Sequence, residues 1–399
     1  MQSVRTELRE GRVDLRRVGS VVATDQAFPP WTVLDSSGMP IGVVVDYLRS
    51  LALGSSSPST CRSYAYDLLR WFRVLWQLGI AWDRATVSEV ECLVGWMRTA
   101  SNPQRERRSP DSPPPGSVNL RTGKQTLGPG YAARTINHAL TVISGFYEFH
   151  AGSGAGPVVN PVPASKDRRA ELSHRSPMEA PIHVRRARLR QRVPKRLPRS
   201  LPDLMWDELF EAMKNDRDRA LLSCYVSSGA RAEELLGIEI GDIDWAGQQI
   251  YVVSKGTKAR EPVPASPDAF RYLAAYLSQA GVPKAGEKLW RALRGDPRPL
   301  TYSAMRRVLQ RANAKLQTNW TLHDLRHTAA TRMANDPKMT LPEVQRVMRH
   351  AKLDTTGIYL TVRLEEMTEK LQDFYTRPRQ VPKFAPGYDP EDVRAVFGG

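Results

Sequence analysis

The sequence predicts a mainly α protein with a small β-sheet, divided into an N-terminal helical domain and a C-terminal α+β domain. Three observations lead there. Apolar residues recur every three or four positions between about residues 38 and 152, and helical spacing returns in several strings beyond residue 200. One stretch, 248–264, reads as two strands about a lysine-bearing bend. Between the two regions lies a segment crowded with proline and arginine, which neither helix nor sheet accommodates.

At 399 residues and 41% apolar composition the chain is long enough for two buried cores. No apolar run approaches the ~18 residues of a membrane span, and no hydrophobic signal segment opens the chain, so the expectation is a soluble, cytoplasmic protein without membrane contact. Residues 1–36 read as an additional N-terminal segment, a candidate arm whose role the sequence leaves open. Residues 37–155 form the helical domain. There Tyr64, Leu68, Trp71, Phe72 and Leu75 make one core stripe, and Ile136, Leu140, Ile143 and Tyr147 another. Arg62, Arg70, Arg134, Asn137 and His138 are helix-borne polar residues that face either nucleic acid or solvent. An inserted loop, rich in Pro, Arg, Ser and Gly, occupies about 101–130. Its Gly116 to Gln125 stretch is not a phosphate loop, because the glycine spacing is wrong and Gln125 stands where a Mg²⁺-binding hydroxyl is needed. Cys61, Cys92 and Cys224 have neither metal nor disulfide spacing and read as reduced core residues.

Net charge is +16 and the pI about 9.9, an imbalance expected of a protein that neutralises a polyanion. Between Lys166 and Arg199 twelve Lys or Arg face three acidic residues, so +9 of the excess falls within the linker, 156–199. That strap is either a solvated tether or a contact to a phosphate backbone, for which Arg185, Arg186 and Arg188 are candidates.

The C-terminal domain, 200–378, holds the residues that carry chemistry. Ser227 to Glu239 places Arg231 after a small-residue turn at the head of a short helix, with Glu234 three residues on. Gln248–Ser254 and Arg260–Pro264 read as a hairpin with Lys255 and Lys258 at its bend. Thr321 to Thr331 has helical spacing throughout, putting His323, Arg326 and His327 on one face. A zinc pair is disfavoured there, because Asp324 replaces the required Glu and Arg326 puts a fixed cation between the supposed ligands. His327 reads as a core or capping histidine. His350 lies nine residues before Tyr359, whose short helix starts at Asp354 or Thr355.

These residue types suit a tyrosine that attacks a phosphodiester. Ionising a phenol at pH 7 costs roughly 4 kcal/mol, and its target is already an anion, so fixed positive charge must sit on the phosphate. Arginine supplies that charge in a planar two-pronged form and holds its proton too tightly to give it up. A lysine of lowered pKa can protonate the leaving oxygen, and histidines can accept protons or donate to the non-bridging oxygens.

Taken in order, Arg231 with its Glu234, Lys255 on a hairpin, His323-x-x-Arg326, His350 and Tyr359 resemble the tyrosine recombinases of the phage integrase family, across about residues 200 to 375. Ala230 replaces a larger apolar residue, and Met348-Arg349-His350 the usual Leu-Gly-His; neither change removes a functional group. The resemblance implies a helical core-binding domain ahead of the catalytic domain and an origin in a bacterium or phage, with nucleoid association. It implies an enzyme that needs no cofactor, metal or ATP, and that cleaves and rejoins double-stranded DNA through a 3′-phosphotyrosyl intermediate. Tyr359 would be the nucleophile and Arg231, Lys255, His323, Arg326 and His350 its assistants. It also implies a homotetramer on two DNA sites, with accessory proteins as further partners. An amphipathic helix over 364–375 docks either on a neighbouring subunit or on its own core, and the tail, 379–399, is expected to be mobile. A type IB topoisomerase, a hairpin-forming resolvase and an inactive DNA-binding accessory protein remain the alternative readings.

Overall fold

The structure is a computed structural model that describes residues 2–105, 113–164, 186–194, 198–254 and 258–350, with a few isolated positions beyond. Its residues cluster into two compact units, Met1–Arg196 and Leu197–Gly399. No described helix is long and apolar enough to cross a membrane.

The first unit is built around α3 (Pro58–Leu78), which starts cleanly because the Ser57 hydroxyl accepts from the Thr60 N–H and Pro58 presets the first turn. Its apolar stripe, Leu68, Trp71, Phe72 and Leu75, is buried against α2 (Gly42–Leu53), α4 (Val87–Thr99) and α5 (Ala133–Ala151). The polar edges of the large aromatics are satisfied in series: the Trp71 indole donates to the Tyr147 hydroxyl at 3.0 Å, which donates to the Trp82 carbonyl at 2.9 Å.

The segment before residue 37 is part of this unit. Helix α1 (Gln2–Arg9) lies on α4, with Leu8 fully buried and Arg5 paired to the buried Glu89 at 2.7 Å. Gly95 permits that approach, since a Cβ there would stand 2.2 Å from the Arg9 carbonyl oxygen. A hairpin of β1 (Ser20–Ala23) and β2 (Trp31–Leu34), in antiparallel register Val21↔Val33, follows. Arg73 of α3 anchors it by donating to the Val18 carbonyl at 2.7 Å and the Gly19 carbonyl at 3.0 Å. An arm swinging clear of the domain is therefore not what residues 2–36 form.

The insert between α4 and α5 is closed at its base, where Ser101 and Gly130 pair and the Asn102 N–H reaches the Pro129 carbonyl at 2.8 Å. Within it the Asn119 carboxamide oxygen accepts from the N–H groups of Arg121 and Thr122, a side-chain turn in place of a phosphate cradle. Part of the basic linker is likewise fastened. Asn137 of α5 exchanges two hydrogen bonds with the backbone of Gln191, at 2.9 and 2.7 Å, and Arg188 pairs with Glu91. Arg185 lies outside the described residues.

The second unit centres on α7 (Asp216–Ser228), whose Leu221, Leu222, Cys224 and Tyr225 are all buried. It is preceded by α6 (Asp203–Glu211) and followed by the short α8 (Ala232–Leu236). A three-stranded antiparallel sheet comes next, β3 (Ile243–Asp244), β4 (Gln249–Val253) and β5 (Arg260–Pro264), in that order. The register Ile250↔Val263 turns one face of the hairpin into the core. Helices α9 (Pro267–Ala280), α10 (Tyr302–Leu316), α11 (Leu322–Ala334) and α12 (Leu341–Met348) complete it. A small separate cluster, Ala330, Val344 and Met348, packs α12 on α11.

The strap gives a direct test. Asn137→Ala removes both side-chain bonds to Gln191, so limited trypsin should cut within 186–192 several times faster. Thermal unfolding should shift by no more than the ~1 kcal/mol per bond typical of such contacts.

Candidate active site

Three segments of the second unit meet at one place. The first is the end of α7, where Gly229 takes a left-handed conformation with φ +59°. Any Cβ there would come within 2.5 Å of the Met348 sulfur, so both backbone and packing call for glycine. The reversal sets Arg231 at the N-cap of α8. Glu234, one turn on, reaches back: one carboxylate oxygen accepts from the Arg231 backbone N–H and the other from its guanidinium Nη1, both at 2.8 Å. The Glu234 side chain is 2% exposed and that of Arg231 37%, so the guanidinium is held by a buried acid while presenting to solvent.

Helix α11 supplies the second turn. Asp324 closes a capping box, accepting from the Thr321 N–H and hydroxyl at 2.7 Å each, which explains an aspartate at this position. Arg326 then points inward, only 5% exposed. It donates to the Gly229 carbonyl and, at 2.6 Å, to the Met348 carbonyl, bridging the turn before Arg231 to the turn before His350. His323 is exposed and His327 half-buried, their rings 4.1 Å apart in an edge-to-face contact. His327 thus lies half-buried beside His323, and its charge is among those that act on His350.

The third turn ends α12. Arg349 adopts φ +51° there, and His350 follows. His350 is fixed through its backbone, its N–H donating to the Gln345 carbonyl at 3.1 Å and its carbonyl accepting from the Gln345 amide at 2.9 Å. Burial, then the charges of Arg326, Arg231 and Arg349, hold its imidazole pKa down to about 4, so the ring is neutral at pH 7. Burial pushes the Glu234 carboxyl the other way, but the hydrogen bonds from Arg231 and the charges of Arg349 and Arg231 outweigh it and lower that pKa to about 2.

The β4–β5 hairpin is described on either side of its bend. Lys258, exposed and at φ +60°, donates its N–H to the Ser254 carbonyl at 2.9 Å. Lys255 and Tyr359 lie outside the described residues, as do Asp354, Thr355 and most of the helix expected over 364–375.

In the first unit, the polar candidates divide. Arg62 is exposed and stacks over Trp31, 4.8 Å from the ring centroid, and Arg134 is exposed near the start of α5. Arg186 and Arg188 are exposed as well. Arg70 is committed to the buried Asp67, and His138 donates from Nδ1 to the same carboxylate at 2.6 Å. Asn137 serves the strap.

Sequence reasoning missed Arg349. Its Nη2 donates to Glu234 at 2.6 Å, so a single carboxylate holds two arginines 118 positions apart in the chain. The signal lay in the motif itself: an arginine where the family resemblance gives glycine.

Both pKa displacements predict acid sensitivity of the same sign. With the folded ring near pKa 4 against an ordinary 6.5, the unfolded chain binds more protons between those values. The His350 contribution is complete above pH 6.5 and is lost as pH falls towards 4; that of Glu234 is present above 4.5 and is lost towards 2. Denaturant unfolding of the protein should therefore show decreasing stability from pH 7 to 4.5, and the His350 ring protons should not titrate until about pH 4.

Comparison with known proteins finds likenesses in sequence and in fold. Residues 202–366 match the phage integrase family. The chain is 33% identical to the tyrosine recombinase XerC of Pelobacter propionicus over 165 residues, 41% of this chain and 53% of that protein. It is 33% identical to the Corynebacterium glutamicum XerC over 167 residues, 40% and 52% of the two lengths. The chain thus spans about half the length of these curated relatives. Among solved structures, a lambda integrase dimer bound to a core site superposes with TM-score 0.53 at 15% identity, covering 86% of this chain and 98% of that one. The Tn1549 transposon integrase in complex with transposon right end DNA gives 0.54 at 14%, covering 84% and 99%. The XerH recombinase bound to its difH substrate gives 0.51 at 15%, covering 92% and 93%. These likenesses establish the fold, and residues 202–366 are similar to the phage integrase family and to tyrosine recombinases of the XerC kind.

Proposed function

We propose that this protein is a site-specific recombinase of the integrase or transposase type, which cleaves and rejoins double-stranded DNA to integrate or excise a mobile element. The observation that carries the reading is the convergence of Arg231, Arg326 and His350, from three separate turns, on one cation-rich site.

The phenolic oxygen of Tyr359 attacks the phosphorus, the bond to the 5′-oxygen breaks, and a 3′-phosphotyrosine remains. Lys255 gives the leaving oxygen its proton, and His323 takes the one lost by the tyrosine, with His327 in ring contact beside it. Because the link keeps the energy of the phosphodiester, attack by another 5′-hydroxyl reverses the step without a cofactor. Arg231 offers its solvent-facing guanidinium to the non-bridging oxygens, and Arg326 contributes a fixed charge from beneath. His350, neutral in the free protein, gains proton affinity once a phosphate offsets the arginines around it, and so becomes a donor to the same oxygens.

The remaining basic candidates hold the duplex. Lys258 lies on the hairpin of the catalytic unit, Arg62 and Arg134 on the helical one, and Arg185, Arg186 and Arg188 in the strap; all address phosphate and so set affinity more than sequence choice. The domain plan that fits this work is a core-binding domain over 37–155, a basic linker over 156–199 and a catalytic domain over 200–378. The working assembly is a homotetramer across two DNA sites, aided by accessory proteins and acting in the cytoplasm on nucleoid DNA.

The test uses a nicked duplex built from direct repeats flanking the gene. Wild-type protein should form an SDS-resistant adduct on it, and Tyr359→Phe none. Arg326→Ala should slow adduct formation by about 10²- to 10³-fold, the usual cost of a lost charge-stabilising donor. A Tyr359→Phe protein that still forms the adduct would refute the assignment.

A further inference from the structure

We propose that Arg349 is a positioning residue of the active site: through the shared Glu234 carboxylate it locks the turn that carries His350 to the guanidinium of Arg231. This rests on the recombinase reading of the site and adds to it a part played by a residue for which the family pattern has glycine.

The backbone makes the first point. Arg349 ends α12 in the left-handed region, φ +51°, where a side chain is disfavoured and glycine is at ease. An arginine kept in that conformation is kept for what its side chain does. That side chain is 8% exposed; its Nη2 donates to Glu234 at 2.6 Å and its Nη1 to the Val347 carbonyl at 3.0 Å.

The second point is topological. The Glu234 oxygen that receives Arg349 is the one that receives the Arg231 backbone N–H, while its other oxygen grips the Arg231 side chain. One carboxylate therefore sets the distance between the last residue before His350 and both the main chain and the fork of Arg231. Arg326 spans the same two turns lower down, through the Gly229 and Met348 carbonyls. With two struts, the gap between Arg231 and His350 cannot hinge about either one. Arg349 also adds a cation to those acting on His350, which are Arg326, Arg231, Arg349 and His327.

A residue that merely caps α12 would be improved by glycine, whereas a strut would be lost. Full-length Arg349→Gly, Arg349→Asn and Arg349→Lys proteins are compared with wild type. The readouts are thermal unfolding, the rate of adduct formation at saturating nicked flank duplex, and the His350 ring titration by NMR without DNA. Asparagine tolerates the same backbone and covers the case in which glycine loosens the turn. The expected result is unfolding of the glycine protein below the wild-type temperature, with adduct formation slowed by about tenfold to a hundredfold, the scale of a small misplacement of reacting groups. Its His350 titration should move upward, and lysine should restore part of the rate and the wild-type titration. Wild-type rates in the glycine and asparagine proteins, or a His350 titration unmoved by them, would overturn the proposal. Absence of any adduct from the wild-type protein would instead count against the recombinase reading, and the NMR titration would still decide the role of Arg349.

Discussion

The buried carboxylate of Glu234 is the constraint on which the site depends. An acid at 2% exposure is tolerable only when its charge is met, and here it is met by a backbone N–H and two guanidinium groups. Removing a partner from such a group typically costs about 3–5 kcal/mol, because the remaining charge is stranded in low dielectric. That penalty keeps Arg231, the start of α8 and the end of α12 in one arrangement before any substrate arrives. The fixed geometry is what a reaction governed by charge placement needs, since groups already in place require no reorganisation as negative charge develops.

Around that carboxylate the balance is positive. Arg231 and Arg349 share the Glu234 carboxylate, Arg326 adds its charge close by, and the nearby His350 responds by staying neutral. An anion entering the site would relieve the repulsion among these groups, so binding and the protonation of His350 reinforce one another. Arg326 would let structure and chemistry share a residue: in the proposed reaction its permanent charge serves a phosphate, and the same guanidinium staples two carbonyls that set the spacing of the site.

Several features were legible in the sequence because they are local. The β4–β5 hairpin follows from strand-forming residues on either side of a bend, and its strands fall where alternation puts them. The inward face of α11 follows from spacing, and the Arg231–Glu234 contact from three-residue separation on a helix. What stayed hidden depends on contacts between distant segments. Nothing near Arg349 in the chain points to Glu234; nothing near Gly95 points to α1, whose carbonyl lies against it; and nothing in the arginine-rich strap announces that Asn137 would hold Gln191. The roles of Lys255 and Tyr359 rest on their order within the motif set.

The most direct measurement identifies the atom that carries the DNA. The adduct formed on nicked flank duplex would be trimmed with nuclease, digested with protease and sequenced by tandem mass spectrometry. The account predicts a nucleotide joined through its 3′-phosphate to the phenolic oxygen of Tyr359. A nucleotide on any other residue, such as Tyr375, or one attached through a 5′-phosphate, would contradict it.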